Sequence, residues 1–527
     1  MELRPTALKD DGLIDALAGL LGPEHVSTAA PDRIAYARDM WPRSLIRQRL
    51  GSIDSPPAAV VWPADAAEVA AVVRLAADAG QPLIPFGAGS GVCGGTLPLH
   101  GGVVVDLKRL DRILALDERD RLLDVEAGAV GEVLERELQR RGWTLGHFPS
   151  SLYCSTVGGW LAARSAGQCS SRYGKIEDMC RGLSWVDAAG RLQHTPLPEP
   201  GRPGWSLDPL LVGSEGTLGL ITSARLVVRP LPAGRWYRAY KLPDVDSGIA
   251  VMRDMLREGL RPAVLRLYDP FDTLIAKTGK RAELPEEQVT ESLLDELGGA
   301  LRGPLRVVMR RSLNRLLQAP RLLNRATDLL PGGCLLVVVH EGAAEALELV
   351  AGRTGRLCAA RRAEDLGEAP ARHWWQHRYS VSYKQSPLFA AGGFVDTMEV
   401  AATWDKLGRL YRTVRQALSK LAFVMAHFSH AYREGGSIYF TFAASARDDA
   451  AAAALYDRIW EAAQAAVLAE GATVSHHHGV GLSKARFLER QLGDARVLAA
   501  AVKRAFDPRG RLNPGKLAQP DPREAAP

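Results

Sequence analysis

Residues Pro85-Phe86-Gly87-Ala88-Gly89-Ser90-Gly91-Val92-Cys93-Gly94-Gly95 place five glycines among eleven positions, directly after the apolar run Gln81-Pro82-Leu83-Ile84. Glycine reaches positive φ without penalty and lets bare backbone N–H groups approach a ligand. Successive N–H groups in such a turn form a nest for an anion. Read alone, the stretch also fits an ordinary surface turn. It is not a Walker A loop, because no Gly-Lys-Ser/Thr follows. It is not a Rossmann fingerprint either, whose G-x-G-x-x-G opens a helix. Thr96-Leu97-Pro98 and the strand-like Gly102-Val103-Val104-Val105-Asp106-Leu107 come next. A phosphate-holding loop between two strands directs the chain to another kind of nucleotide fold.

The chain has 527 residues, beyond one ordinary core, so two large domains or more are expected. Its net charge of +6 is small for this length, and arginine is scattered among acidic residues. That describes a mildly basic solvated surface rather than a nucleic-acid partner, and it is compatible with anionic substrates. The six cysteines (93, 154, 169, 180, 334 and 358) form no CxxC pair and no zinc spacing with histidine. Reduced, buried thiols in a cytosolic protein are the expectation, with no metal site. The start, Met1-Glu2-Leu3-Arg4-Pro5, has no apolar signal core, and no apolar run reaches the roughly 18 residues of a membrane span. A cytoplasmic protein follows as an expectation, with peripheral membrane contact and a homodimer both compatible.

Residues 1–54 read as an N-terminal helical arm with a helix over about 11–21. Residues 55–232 read as one α+β domain. Its pieces are a strand at Ala58–Trp62, an amphipathic helix at Asp65–Ala79, the glycine loop between strands, and a helix at Val130–Arg141. Three more glycine- and hydroxyl-rich stretches fall in this domain. They are Ser150-Ser151-Leu152-Tyr153-Cys154-Ser155-Thr156 with Val157-Gly158-Gly159, then Ala163-Arg164-Ser165-Ala166, then Glu215-Gly216-Thr217-Leu218-Gly219-Leu220-Ile221 after Gly213-Ser214. Each alone is an unremarkable turn; their order and separation together are not.

That set resembles the FAD-binding domain of the vanillyl-alcohol oxidase/p-cresol methylhydroxylase (PCMH-type) family. The resemblance implies FAD, with Pro85, Phe86, Gly87, Ala88, Gly89, Ser90 and Gly91 cradling the pyrophosphate. Ser150–Thr156 and Ala163–Ala166 would line the flavin, and Glu215–Ile221 would hold the adenosine side. Relatives that tether FAD do so through a histidine in the first loop; Ser90 and Gly91 stand there, which implies non-covalent FAD.

Beyond Pro232 strand-like segments alternate with helical ones, which reads as an antiparallel sheet covered by helices. The fold expectation is thus α+β, a PCMH-type FAD-binding domain plus a cap (substrate) domain over 233–484. Residues 485–519 return to the FAD domain, and 520–527 form a disordered tail. A leucine-rich segment over 310–330 carries Arg310, Arg311, Arg315, Arg321 and Arg325. It fits a solvated amphipathic helix or a membrane-surface contact.

Ser475-His476-His477-His478-Gly479-Val480-Gly481 is the sharpest feature of the second domain. Three adjacent histidines cannot all point one way, which argues against a three-histidine metal site. Imidazoles there suit proton exchange with a substrate. This segment resembles the alkyldihydroxyacetonephosphate synthases. So do the strand Ile438-Tyr439-Phe440, whose tyrosine is an acid/base in that family, and Ala263-Val264-Leu265-Arg266-Leu267 with its arginine. The resemblance implies Tyr439, His476, His477 and His478 as catalytic residues, and Lys384 and Arg266 as substrate-binding ones. Lys384 stands where the family has an arginine, and Tyr153-Cys154 stand where it has Asp-His. It also implies an ether-lipid reaction: the acyl group of acyl-dihydroxyacetone phosphate is exchanged for a fatty alcohol through a flavin N5 adduct. The alternative is an FAD-linked oxidase or dehydrogenase of a 2-hydroxy acid or other alcohol. Metal-dependent members of that class use His-x6-His, whereas Ser437 follows His430 here. Period-2 alternation puts Ile438, Phe440 and Phe442 on a core face and Tyr439 on the opposite one. A tyrosine needs a nearby cation to act near neutrality, and the triple-histidine turn is the expected supplier.

Overall fold

The computed structural model describes residues 12–51, 53, 55–195, 206–273, 317–328, 333–379, 388–389 and 392–517. The chain forms two compact units: Met1–Gly167, Gly174–Leu231 and His477–Pro527 make the first, Gln168–Tyr173 and Pro232–His476 the second.

In the first unit a four-stranded sheet runs β1 (Val26–Ser27), β2 (Ala59–Val61), β4 (Val103–Asp106), β3 (Leu83–Phe86), with β2, β3 and β4 parallel. Parallel strands buried on both faces want continuous apolar runs, and Val103, Val104 and Val105 are fully buried. Helix α1 (Gly12–Leu21) and helix α2 (Ala66–Asp78) share one core. The stripe Val69, Val72, Val73, Ala76 meets Leu13, Leu17 and Leu21 there. Each such valine or leucine contributes about 1.5–3 kcal/mol by leaving water. The expected separate arm is therefore part of this core. Asp65 caps α2 by accepting from Glu68 N at 2.9 Å, while Glu68 accepts from Ala64 N at 2.6 Å.

An antiparallel sheet follows. In order it is β5 (Ile113–Asp117), β6 (Leu122–Glu126), β9 (Leu220–Val227), β7 (Cys180–Val186), β8 (Leu192–His194). Between its strands lie α3 (Gly131–Arg140) and the short α4 (Val157–Ala163).

The second unit is a seven-stranded, wholly antiparallel sheet. Its strands are β10 (Gly234–Leu242), β11 (Val264–Tyr268), β12 (Cys334–Gly342), β13 (Glu364–Asp365), β14 (Gly393–Thr403), β15 (Phe423–Ala431) and β16 (Gly435–Ser445). They stand in the order β13-β10-β12-β11-β15-β16-β14. Helices α5 (Val245–Arg257), α6 (Ala344–Ala359), α7 (Trp404–Leu418) and α8 (Asp449–Ala469) alternate with the strands. On one face Leu267, Phe428, Ile438, Phe440 and Phe442 are buried completely or nearly so. Gly248 of α5 lets that helix close on Leu267, which a Cβ would meet at 2.4 Å.

The chain re-enters the first unit at His477, not at 485. Two helices follow, α9 (Ala485–Leu492) and α10 (Arg496–Phe506), parted at Gly493 with φ +52°. The end of the chain then inserts beside β3: Leu83 N donates to Arg511 O, Asn513 N donates to Leu83 O, and Leu83 bridges Leu512. Lys384, Arg310, Arg311, Arg315 and the tail 520–527 lie outside the described residues.

Candidate active site

The first unit brings the glycine loops together. A Cβ on Gly87 would stand 2.4 Å from Thr156 Oγ1, and one on Gly216 2.5 Å from Pro85 Cγ. So the loop at 85–91 touches both the 150–156 segment and the 215–221 segment. Gly89 has φ +61°, and its Cβ would fall 2.6 Å from Phe86 Cζ. A side chain there would strike the Phe86 ring. Ser90 lies within hydrogen-bond reach of Cys154. Ser150, Tyr153 and Cys154 are exposed, whereas Leu152, Ser155 and Thr156 are buried supports. Ser155 Oγ accepts from Trp160 Nε1 at 2.8 Å and donates to Ser151 O at 2.9 Å. Thr156 caps α4 on Gly159 N.

Several expected ligand contacts turn out to be internal ties. Glu215, at φ +50°, accepts Val480 N at 2.5 Å and Gly481 N at 2.8 Å, so its carboxylate fastens the returning segment. Burial pushes its pKa up, against those amides, Lys516 and Lys484. Arg164, at φ +54°, donates to Val212 O (3.0 Å) and Pro209 O (3.1 Å) and clamps the approach to the third loop. Ser165 Oγ lies 3.2 Å from Nε2 of His147, a histidine that burial drives down to about 3.

Two residues around this cradle were not singled out from sequence. Lys108 Nζ donates to Gly87 O at 2.8 Å, pairs with Asp106, and lies 5.4 Å from the Phe86 ring centre. A lysine two residues past a strand-ending aspartate beside a phosphate loop was the available signal. Trp185 Nε1 is buried with no hydrogen-bond partner among the described residues and lies against Gly219. An orphaned donor, a half-exposed ammonium and tight backbone glycines fit a pyrophosphate-containing cofactor.

In the second unit the strand register builds a polar row on the face opposite the apolar one. Tyr268 pairs with His427, His427 with Tyr439, and Tyr439 with Glu399, across β11, β15, β16 and β14. Cross-strand partners share a face, so the alternation expected for Tyr439 is what the sheet shows. The imidazole against Tyr439 is His427, with ring centres 4.8 Å apart and 16° between planes. Arg266 Nη2 approaches His427 Nε2 at 2.5 Å, and His427 Nδ1 lies 3.0 Å from Asp272 Oδ2. Arg266 also lies over the rings of Tyr268 (5.3 Å) and Trp374 (5.6 Å).

The imidazole stacked on Tyr439 is a neutral one. Burial first, then Arg266, drives His427 well below the ordinary imidazole range. Burial raises Tyr439 to about 12, with Thr397 and Arg266 opposing and Asp396 and Glu399 reinforcing. Burial likewise raises Asp272 to about 7, opposed by Arg266. The cation beside Tyr439 is thus a guanidinium, and the phenol holds its proton at neutrality. His427 was missed because the hairpin β15–β16 was not paired residue by residue; its register alone names it.

The triple histidine divides. His476 belongs to the second unit, His477 and His478 to the first. His476 N donates to Glu399 Oε1 at 3.2 Å, beside Ser475 Oγ at 2.9 Å. The His476 ring lies 5.3 Å from His430 and 5.6 Å from Tyr432. His430 Nδ1 in turn meets Ser170 Oγ at 2.7 Å. His477 and His478 rings meet edge-on at 4.4 Å.

His427 is expected to stay neutral at pH 6, where an ordinary imidazole of pKa about 6.5 is mostly charged. The unfolded chain binds that proton and the folded one does not. This histidine therefore costs stability as pH falls through about 6.5. Histidine ¹⁵N spectra should show a hydrogen fixed on Nδ1 from pH 8 to about 5.5; titration near 6.5 would refute the assignment.

The family model described as FAD linked oxidases, C-terminal domain, matches residues 231–517, and that of the FAD binding domain matches 57–196. The chain is 28% identical over 506 residues to alkyldihydroxyacetonephosphate synthase of Dictyostelium discoideum, covering 94% of this chain and 79% of that one. It is 25% identical over 516 residues to glycolate oxidase subunit GlcD of Bacillus subtilis (strain 168), covering 97% of each. Among solved structures, an alkyldihydroxyacetonephosphate synthase superposes with TM-score 0.76 at 24% identity, over 98% of this chain and 86% of that one. A p-cresol methylhydroxylase superposes at 0.71 and 17%, over 97% and 96%. These neighbours share the PCMH-type α+β fold expected from the glycine loops.

Proposed function

The chain belongs to the FAD-linked oxidases and is an FAD-dependent enzyme, and we propose that it exchanges the acyl group of an acylated dihydroxyacetone phosphate for a fatty alcohol. The observation that carries this reading is the polar row, in which a protonated Tyr439 stacks on neutral His427 beneath the guanidinium of Arg266. The likeness to the Dictyostelium synthase over 94% of the chain supports it. Bound FAD would supply the electrophilic, electron-accepting ring. Pro85–Gly91 would hold its pyrophosphate through backbone N–H groups, aided by Lys108. Ser150–Cys154 would face it with their exposed side chains. Tyr439, which keeps its proton at neutrality, donates it to a leaving oxygen and takes one back from the incoming alcohol. Arg266, with Lys384 as a further cation, neutralises an anionic substrate group.

A second reading, oxidation of a 2-hydroxy acid, is favoured by the end-to-end likeness to GlcD. Anaerobic mixing decides between them. Bleaching of the flavin by 2-hydroxy acids selects the oxidoreductase. Alkyl exchange on acyl-dihydroxyacetone phosphate without bleaching selects the transferase.

The FAD is expected to be held without a covalent bond, since the first loop carries no histidine. Acid precipitation should release all of the chromophore. A yellow pellet that disappears in Cys154→Ala would instead make the exposed Cys154 a tether. A lipid substrate would be drawn from a membrane surface by a cytoplasmic enzyme. No helix among the described residues is long and apolar enough to cross a membrane. Arg321 and Arg325, with the exposed Leu322, supply a surface for such contact. Co-sedimentation with anionic vesicles should weaken in Arg321→Glu/Arg325→Glu; unchanged binding would dismiss that surface.

A further inference from the structure

Arg266, His427 and Asp272 form a line whose hydrogens can be assigned from chemistry. A guanidinium N–H only donates, so Arg266 Nη2 at 2.5 Å makes His427 Nε2 the acceptor. The ring's one hydrogen is then on Nδ1, donated to Asp272 Oδ2 at 3.0 Å. Protonating Nε2 in this arrangement would set two donors against each other. His427 therefore gains no proton while Arg266 keeps its place.

Arg266 has capacity for another acceptor. Its Nε is buried without a hydrogen-bond partner among the described residues. The other groups facing His427 are Tyr268, with ring centres 5.6 Å apart, and Tyr439 at 4.8 Å. Asp396 and Glu399 act on Tyr439 from the neighbouring strand. Among the described residues the carboxylate in contact with His427 is Asp272, whose ionised form would stabilise an imidazolium.

We propose that these three residues are an anion-coupled proton acceptor: an anionic group of the ligand draws the Arg266 guanidinium off His427, and the freed Nε2 takes up one proton from solvent. One hydrogen bond, Nη2–H to Nε2, is exchanged for Nη2–H to an anionic oxygen. One N–H bond forms at Nε2 with a proton released by water or buffer, and no electrons move. The proton offsets one unit of the anion's charge, so the buried region gains less net charge than the anion alone would bring. The proton then sits stacked against Tyr439, able to replace the one that the phenol gives away. A neutral alcohol without the anionic group leaves His427 uncharged, so the device discriminates by charge before chemistry. This inference rests on the reading that the second unit receives an anionic substrate.

Sulfate is the probe, because its own charge does not change near neutrality. FAD-loaded protein is titrated with sulfate at pH 6 by calorimetry, in buffers of different ionisation enthalpy. The wild type should take up close to one proton per bound sulfate. His427→Gln should bind sulfate with no uptake, and Asp272→Asn should bind it with uptake moved to lower pH. Arg266→Gln should bind it about tenfold more weakly or worse, the scale of one lost charge-assisted hydrogen bond. Absence of sulfate binding by the wild type, unchanged affinity in Arg266→Gln, or undiminished uptake in His427→Gln would each overturn the proposal. The exchange assay separates the two readings. Coupled uptake without alkyl exchange refutes the transferase function and leaves the proton acceptor standing. Alkyl exchange without coupled uptake does the reverse.

Discussion

Gly89→Val is expected to give a folded protein that retains no FAD. Two effects act at the same backbone position. The φ of +61° is one that L-residues avoid at a cost of about 1–2 kcal/mol, and more for a β-branched side chain. The Cβ would also fall 2.6 Å from Phe86 Cζ. Phe86 has little room to yield, being 7% exposed, with Tyr36 at 4.6 Å on one side. The loop must therefore change its path. Its path is what aims the N–H groups, so the cradle is lost while the core formed by α1 and α2 is untouched. Gly89→Ala, with a single added carbon, should retain part of the flavin. Absorbance in the flavin band of soluble, cooperatively folding protein is the measurement. Full occupancy in the valine variant would mean that this loop does not carry the pyrophosphate.

Tyr439→Phe is expected to lower turnover on the order of 10²-fold or more, the scale of a positioned acid–base group. FAD content should stay the same. Thermal stability should move little, because the phenylalanine ring keeps the stacking on His427 and the buried face of β16 is unchanged. With burial holding Tyr439 near 12, the wild type should keep its activity as pH rises from 7 to 9. A phenolate mechanism would instead gain activity steeply over that range. A variant that loses flavin or unfolds, while its residual folded fraction remains fully active, would make Tyr439 structural.

Much of this was legible in the sequence because the signals were local. Five glycines in one loop, a capped amphipathic helix at 65–79 and period-2 alternation around Tyr439 are each written within a dozen residues. The polar row was not, because it is written in register. His427 and Tyr439 are twelve positions apart and meet only in the register that β15 and β16 take up beyond the irregularity between Phe428 and Ala431. Glu215 and Arg164 were assigned to the cofactor because they stand in its loops. Their side chains turn to Val480, Gly481, Pro209 and Val212, and nothing in the local sequence announces those partners. The boundary between the two units passes through the triple histidine, between His476 and His477, which adjacency in sequence does not announce.

The insertion of the chain's end beside β3 has a consequence for biosynthesis. Leu83 lies between Arg511 and Asn513, and the Asn513 amide reaches Gly95 O at 2.9 Å and Glu215 O at 2.7 Å. A ribosome delivers residue 83 long before residue 513. The second unit, nearly continuous in sequence, can fold while the last segment is still being made, since domains generally fold as units. The glycine loops meanwhile wait for the residues that brace them. Bracing of the glycine loops is thereby deferred until residues 511–513 have been made, and a chain interrupted before them is expected to form the seven-stranded sheet but to stay colourless.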